Sequence, residues 1–389
     1  MKKSLFALLL GGLGIGTTEF VMMGLLPVIA QNFGISIPQA GHFISAYALG
    51  VVIGAPLLVI FSGGIPPKRL LIILMIMFTV FNALSGLATG YYSLLALRLL
   101  SGLPHGAFFG VGAVVASRLA EKGKEAQAIS IMFAGLTIAN LAGVPLGTFL
   151  GNHVSWRYTF LLIGVIGLVT VLSLKLWLPN FSAAKKENLS QQLNFFKSPD
   201  ALLIVLIIAI GTGGLFCWIS YISPLLTEVS GFATDTVPYI LAFAGLGMCV
   251  GNLIGGRLAD RFSPARTAFA LLIAMSFCLA IVAMTAEYQI IALAMTFVTG
   301  TLAFTLGSPI QMLMIQSARG SEMFAAGVAQ ACFNIGNALG AYLGGLPIDA
   351  GFSYTSAEWV GVGMALTGAV TAAALLQYRK RSDVEIVPS

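Results

Sequence analysis

Charged side chains are scarce in this chain of 389 residues, where they make up 9% of the total. A soluble domain carries about 25% charged residues, so this chain cannot present a water-compatible surface. Hydrophobic residues make up 58% of the chain, and the mean hydropathy is +0.95. The apolar runs are long and continuous, which favours helices over a β-barrel. The composition therefore predicts an all-α protein that crosses a membrane several times.

Cysteine and the common catalytic motifs are also scarce. The four cysteines, Cys217, Cys249, Cys278 and Cys332, lie far apart within apolar runs. This spacing argues against a disulfide framework and a metal site, and it favours small buried side chains. No segment matches G-x-x-x-x-G-K-[ST], and no Ser/His/Asp constellation is present, so an ATP-driven pump or an enzyme has little support. We expect no cofactor and no metal.

Spans of about 20 residues divide the chain into twelve predicted transmembrane helices. A polar segment at residues 179–199 separates the first six from the second six, which predicts an N-terminal bundle (1–178), a cytoplasmic linker (179–199) and a C-terminal bundle (200–389). The spans cover residues 4–30, 38–61, 70–88, 91–117, 126–150, 158–178, 201–227, 237–260, 266–285, 288–316, 323–348 and 356–378.

The distribution of the 20 lysines and arginines predicts the orientation. Arg98 falls within a span and Arg157 falls on one side, and all the others fall on the opposite side. This positive-inside pattern places both termini in the cytoplasm of a bacterial inner membrane protein. It also explains the net charge of +6 without a nucleic-acid partner.

An internal repeat supports two related halves. A shift of 197 residues superposes glycine, proline, arginine and asparagine positions of the two halves: Gly14 on Gly211, Gly16 on Gly213, Pro27 on Pro224, Gly50 on Gly247, Gly54 on Gly251, Arg69 on Arg266, Asn140 on Asn337, Gly143 on Gly340 and Gly147 on Gly344. Chance matches among the 45 glycines are the alternative, but the shared Asn and Pro positions weigh against it. Two such halves usually form a substrate site at their interface near the membrane midplane.

Several segments resemble motifs of the major facilitator superfamily. Residues 251–261, GNLIGGRLADR, are similar to its loop motif between helices 8 and 9, and residues 61–69 keep the basic end of the counterpart loop. Gly63 stands where the repeat places Asp260, which departs from the family pattern. Residues 98–102, RLLSG, resemble the helix 4 motif whose arginine is tied to proton transfer in antiporters. Residues 143–147, GVPLG, resemble the antiporter motif with one residue inserted.

The segments TTEF (17–20) and PHGAFFG (104–110) most resemble the sugar-efflux and arabinose-exporter-like branch of the drug:proton antiporters. The resemblance implies the twelve-helix major facilitator fold in two pseudo-symmetric six-helix bundles. It also implies alternating access, a small-molecule substrate exchanged for protons, and a monomer in the lipid bilayer.

Glu19 is the principal candidate for proton coupling, and it is the only acid predicted deep within a span. A charge there costs at least about 2.5 kcal/mol, so it is rare and usually functional. The alternative is a structural carboxylate paired with a neighbouring helix. Arg98 is the only basic residue predicted deep within a span; it would tune Glu19 or serve structure alone. His105 is either a proton relay or a hydrogen-bonded packing residue.

The remaining candidates fall into two sets. Aromatic, methionine and asparagine side chains are candidate cavity residues, although packing and interhelical hydrogen bonding are the alternatives: Phe20, Met23, Phe108, Asn140, Phe216, Tyr221, Phe304, Asn334 and Asn337. A second set has predicted roles in helix packing or gating: Gly143, Pro145, Gly147, Arg257, Asp260 and Arg261.

Three functions remain open on the sequence. Proton-coupled efflux of a drug or sugar fits Glu19 and the 143–147 motif. Import of a sugar or nucleoside by a symporter or facilitator is the alternative within transport. A non-transporting membrane receptor of the same fold is the third.

Overall fold

The computed structural model describes residues 2–61, 64–121, 125–182, 198–317 and 322–385, and these ranges form helices joined by turns. Ten of the helices are named by a single range: α1 Lys2–Phe33, α2 Ile37–Phe61, α3 Pro67–Ser85, α4 Tyr91–Leu119, α6 Trp156–Trp177, α8 Val237–Arg261, α9 Pro264–Thr285, α10 Gln289–Ser317, α11 Glu322–Asp349 and α12 Ser356–Glu385.

The other two helices, α5 and α7, are composite. Helix α5 consists of Glu125–Ile138, the π-helical Ala139–Gly143, Val144–Leu150 and the π-helical Gly151–Ser155. Helix α7 consists of Pro199–Leu206, the π-helical Ile207–Gly211, Gly213–Ser220, Ile222–Pro224 and the π-helical Leu225–Val229. The twelve helices match the twelve predicted spans, so the predicted fold class is confirmed. The domain boundaries stay predictions, and residues 183–197 of the predicted linker lie outside the described ranges.

Local sequence explains where several helices begin. Helices α3, α7, α8 and α9 each carry a proline in their first turn, where its missing N–H costs no helical hydrogen bond. Helix α6 begins after Ser155, whose Oγ accepts a hydrogen bond from the backbone N–H of Arg157 at 3.3 Å. Pro145 lies two residues after the π-helical turn of α5, and its lack of an N–H donor to the carbonyl oxygen of Leu141 explains the irregular hydrogen bonding there.

Ten helical stretches among the described residues are long and apolar enough to cross a membrane. One of them, Ile131–Trp177, spans most of α5 and all of α6. Helix α11 is not among the ten, although it is 28 residues long. Its polar Gln330, Asn334 and Asn337 lower its hydropathy, and it packs against α2 inside the molecule.

Glycine contacts repeat between the two halves at the positions that the sequence shift superposes. A Cβ on Gly50 of α2 would lie 2.1 Å from the Leu99 carbonyl oxygen of α4, and one on Gly247 of α8 would lie 2.4 Å from that of Phe297 in α10. Gly54 and Gly251 make the corresponding contacts one turn further along. Both helix pairs therefore pack with their backbones in close approach, which only glycine permits.

Because the number of helices is even, the start of α1 and the end of α12 lie at one end of the bundle. We call this the terminal end and the other the distal end. The halves meet where α2 packs on α11 and α5 packs on α8. Towards the distal end, Ser36 Oγ donates to Asp349 Oδ1 at 3.1 Å, and His153 Nε2 lies 3.4 Å from Asp235 Oδ1. Nearer the middle, Ser45 Oγ donates to the Ala338 carbonyl oxygen at 3.0 Å.

The first turn of α12 holds a second buried acid that the sequence did not single out. Glu358 has no solvent-exposed surface. Packing of α12 against α7 and α9 buries it. It lies only two residues after the start of α12, so the prediction that Glu19 is the only acid deep within a span stays a prediction.

Candidate functional site

A buried polar segment in the middle of α1 forms the centre of the site. Thr17, Thr18 and Glu19 are all buried, within a helix that contacts most of its N-terminal neighbours. Thr17 Oγ1 donates to the Leu13 carbonyl oxygen at 2.7 Å, and Thr18 Oγ1 donates to Asn82 Oδ1 of α3 at 2.5 Å. The threonine hydroxyls therefore have partners within the bundle, and the Glu19 carboxylate is left to interact with other helices.

Arg98 of α4 binds the residue next to Glu19. Its Nη1 donates to Thr18 Oγ1 at 2.9 Å and its Nη2 to the Thr18 carbonyl oxygen at 3.1 Å. Its Nε donates to the Phe43 carbonyl oxygen of α2 at 3.5 Å. The guanidinium is fully buried and within electrostatic range of Glu19, but its described hydrogen bonds go to Thr18 and Phe43. Arg98 thus supplies a fixed positive charge beside the carboxylate.

Tyr47 of α2 connects Arg98 to His105. The guanidinium carbon of Arg98 lies 4.3 Å from the centroid of the Tyr47 ring, which is a favourable cation–π distance. The Tyr47 hydroxyl is 3.1 Å from His105 Nδ1, and all three side chains are buried. The three predicted proton-coupling residues therefore lie in one buried cluster with Tyr47 between two of them.

The Glu19 carboxylate faces the C-terminal half across the boundary between the bundles. Asn337 of α11 is close enough there to act on the carboxylate. Neither Nδ2 nor Oδ1 of Asn337, however, has the geometry of a hydrogen bond to Glu19 or to any other described residue. A buried amide without partners costs about 1–3 kcal/mol, so this arrangement is typical of a site that a ligand or water completes.

Three predicted cavity residues surround a small cavity between the halves. Phe20 and Met23 of α1 and Asn140 of α5 line it together with apolar residues of α7 and α8. Asn140 Nδ2 donates within its own helix to the Leu136 carbonyl oxygen at 3.0 Å. The Phe20 ring lies 6.5 Å from the Phe304 ring of α10, so Phe304 reaches the same boundary from the other half.

The other predicted cavity residues make packing contacts. Phe108 is fully buried against Gly11 of α1, and Phe216 packs against Gly340 of α11. The Tyr221 hydroxyl donates to the Ala341 carbonyl oxygen at 2.6 Å. Asn334 Nδ2 donates to the Gln330 carbonyl oxygen at 3.0 Å, and its Oδ1 is unpaired among the described residues. These contacts fit the packing interpretation as well as a cavity role, so the cavity role stays a prediction.

The glycines of the 143–147 motif let α5 approach α1. A Cβ on Gly143 would lie 2.3 Å from Thr17 Oγ1, and one on Gly147 would lie 2.6 Å from Cγ2 of Val21. Pro145 follows the π-helical turn that contains Asn140. The motif therefore lets α5 pack closely on α1 beside the site.

The predicted gate lies near the terminal end of α8. Arg257 is exposed there. The side chains of Asp260 and Arg261 lie outside the described part of the chain, so their predicted roles are untested.

Sequence reasoning missed Tyr47 and Asn82. Neither belongs to a recognised segment, and a single tyrosine or asparagine in an apolar helix carries no pattern of its own. The helix packing brings them to Arg98 and Thr18, and the close α2–α4 contact at Gly50 and Gly102 explains the position of Tyr47.

Comparison with known proteins shows likeness over most of the chain. The family described as Major Facilitator Superfamily matches residues 8–326. The "Inner membrane transport protein YdhP" of Escherichia coli (strain K12) is 40% identical over 351 residues, which is 90% of this chain and 90% of that protein. The "Chloramphenicol resistance protein" of Streptomyces lividans is 30% identical over 347 residues, which is 87% of this chain and 88% of that protein.

A solved structure described as a D-xylose-proton symporter has the same fold. The TM-score is 0.76 with 15% sequence identity, and the match covers 96% of each chain. At this identity, the likeness concerns the arrangement of helices alone.

Proposed function

The chain belongs to the Major Facilitator Superfamily and is a membrane transporter, and we propose that it exports a small organic molecule, such as a drug or sugar, in exchange for protons. The observation that carries the proposal is the buried Glu19, with the fixed charge of Arg98 on one side and the unpaired Asn337 amide on the other. An intramembrane acid of this kind is typical of proton relays in transporters.

Alternating access would couple the proton to the substrate. Glu19 takes up a proton when the cavity opens at the distal end, which the charge pattern assigns to the outside of a bacterial inner membrane. Opening at the terminal end, in the cytoplasm, releases the proton and favours substrate binding. Because a ligand with equal affinity for both states shifts nothing, the substrate must bind the deprotonated state more tightly.

The cavity between the halves supports an organic substrate. Its lining combines the aromatic Phe20, the adaptable Met23 and the polar Asn140. Apolar walls with a few polar groups are usual in small-molecule sites. The Glu19–Asn337 pair lies at the same boundary, so substrate and proton would act on neighbouring side chains. One chain supplies the cavity residues and the Glu19–Asn337 pair, so a monomer is sufficient for transport.

Proton movement in proteoliposomes tests the proposal. A pH-sensitive dye is trapped inside, and chloramphenicol or D-xylose is added outside. Antiport drives protons out as substrate enters, so the lumen becomes more alkaline, whereas a symporter would acidify it. We expect alkalinisation in the wild type and its loss in Glu19→Gln. Glu287→Gln, the same change at an exposed loop position, is the matched control and should retain the signal.

Exchange of labelled substrate separates a coupling defect from misfolding. Glu19→Gln should still exchange external for internal substrate, since the inward and outward movements of substrate together require no net proton movement. Proton movement that persists in Glu19→Gln would overturn the assignment of Glu19. Exchange without proton movement in the wild type would make the protein a facilitator. A wild type that moves neither substrate nor protons would favour the non-transporting membrane receptor.

A further inference from the structure

Glu358 is a second buried acid that the proposed transport cycle does not use. It lies in the first turn of α12, with no exposed surface. Neither carboxylate oxygen has a hydrogen-bond partner among the described residues. It belongs to the C-terminal half, whereas Glu19 belongs to the N-terminal half. The two acids therefore occupy separate environments.

The groups that face Glu358 are neutral or weakly acidic. It acts electrostatically on Cys217 of α7 and Cys278 of α9. These thiols have other neighbours, since Cys217 Sγ lies 3.8 Å from Met364 Sδ and Cys278 Sγ lies 3.1 Å from Thr299 Oγ1 of α10. No described lysine or arginine donates a hydrogen bond to the Glu358 carboxylate.

Two further unpaired oxygens lie at the same level of the helices. Ser356 precedes Glu358 by two residues, and its Oγ has no partner within the described ranges. Helices α7 and α12 run antiparallel, with Gly361 packed against the Gly214 carbonyl oxygen and against Cys217. This register brings Ser220 to the level of Glu358, and Ser220 Oγ is also buried and unpaired there.

The chemistry of these groups distinguishes the two forms of the carboxyl. An ionised carboxylate accepts hydrogen bonds only and needs a balancing charge when buried. A protonated carboxyl is neutral, so it can stay buried without a balancing charge. We propose that Glu358 is a second proton-binding site, occupied by a proton in this conformation. The inference does not depend on the proposed antiport, because proton occupancy is defined without substrate.

Glu358 lies near the distal end of the molecule. Helix α12 begins only two residues earlier, and Phe352 and Trp359 nearby are exposed. A small cavity between α7, α9 and α10 is lined by Ser230, Thr285 and Thr296. This cavity lies one turn beyond Cys278 and Thr299.

Infrared spectroscopy of the purified protein in lipid nanodiscs tests the assignment. A protonated carboxyl gives a C=O stretching band that an ionised carboxylate lacks. We expect the wild type at neutral pH to show a component of this band that Glu358→Gln lacks and that disappears when the pH is raised. Glu287→Gln should keep the component, and Glu19→Gln should keep it as well, since Glu19 lies in the other half.

A second variant keeps the proposal testable if the first does not fold. If Glu358→Gln does not fold, Glu358→Asp retains a carboxylic acid and should shift the component. Bands that are unchanged in both variants over the whole pH range would overturn the proposal, since Glu358 would then be ionised.

Discussion

Arg98 takes its position from groups on two other helices. Two of its donors bind Thr18 of α1, the third binds the Phe43 carbonyl oxygen of α2, and its guanidinium stacks on Tyr47. A guanidinium stays charged, and its planar fork suits two donors to one residue. Arg98 therefore holds α1, α2 and α4 together while its charge faces the neighbouring Glu19.

Tyr47→Phe tests whether His105 takes part in proton transfer. The change removes the hydroxyl that contacts His105 Nδ1 and keeps the ring that faces Arg98. We expect a loss of about 1 kcal/mol in the free energy of unfolding, the usual net value of one hydrogen bond. We also expect slower substrate-driven proton movement, with a changed pH profile and unchanged substrate affinity.

Phe43→Leu is the control for Tyr47→Phe, because it alters a neighbouring buried side chain of α2 and keeps the backbone carbonyl that Arg98 uses. Its pH profile should match that of the wild type. A wild-type pH profile in Tyr47→Phe as well would assign His105 to packing. The measurement is the rate of lumen alkalinisation in dye-loaded proteoliposomes over a range of pH.

The helix pairs α2–α4 and α8–α10 explain how much the sequence predicted at the scale of elements. The 197-residue shift superposed Gly50 on Gly247 and Gly54 on Gly251, and these glycines make matching backbone contacts. Helix positions followed from apolar runs because the bilayer sets the length of a span. The burial of Glu358 could not be read in this way, since it depends on how α12 packs sideways against α7 and α9.

Gly50→Ala tests the close approach of α2 and α4. The added methyl group would lie 2.1 Å from the Leu99 carbonyl oxygen, so the helices must move apart. We expect a loss of about 1–3 kcal/mol in stability, measured as a lower midpoint of thermal unfolding in detergent. Proton coupling should also fall, because Tyr47 lies one turn away on the same face.

Gly363→Ala is the matched control, since no heavy atom lies within 4 Å of its added methyl group on the exposed face of α12. Alanine favours a helix over glycine by about 1 kcal/mol, so this variant should be as stable as the wild type or more stable. Equal midpoints for Gly50→Ala and Gly363→Ala would show that the α2–α4 contact tolerates extra volume.

The site joins both halves of the molecule, and this explains why only part of it followed from the sequence. Glu19, Arg98 and His105 stood out because ionisable side chains are rare within apolar spans. Asn337 was one of several asparagines with an equal claim to ligand contact or packing. Its position opposite Glu19 depends on how the halves meet, which no single span encodes.

At the scale of the whole molecule, the packing of α5 on α8 holds the halves together. A Cβ on Gly245 of α8 would lie 2.5 Å from the Asn140 carbonyl oxygen of α5. The larger side chain of Gly245→Leu should therefore push the halves apart there. If the protein works by alternating access, the population should shift towards a state open at the distal end, since the bundles move as rigid bodies.

Spin labels at Tyr92 and Phe352 measure this opening. Both side chains are exposed, and they lie at the distal end of different halves, in the first turn of α4 and just after α11. Pulsed electron resonance should give a longer distance in Gly245→Leu than in the unsubstituted labelled protein, and Gly363→Leu should leave it unchanged. The label-to-label distance could instead be the same in the unsubstituted labelled protein and in both variants, with the fold intact by thermal unfolding. The halves would then not separate along α5 and α8. Alternating access would then need a different hinge, because this contact lies directly beside the cavity that holds Phe20 and Asn140.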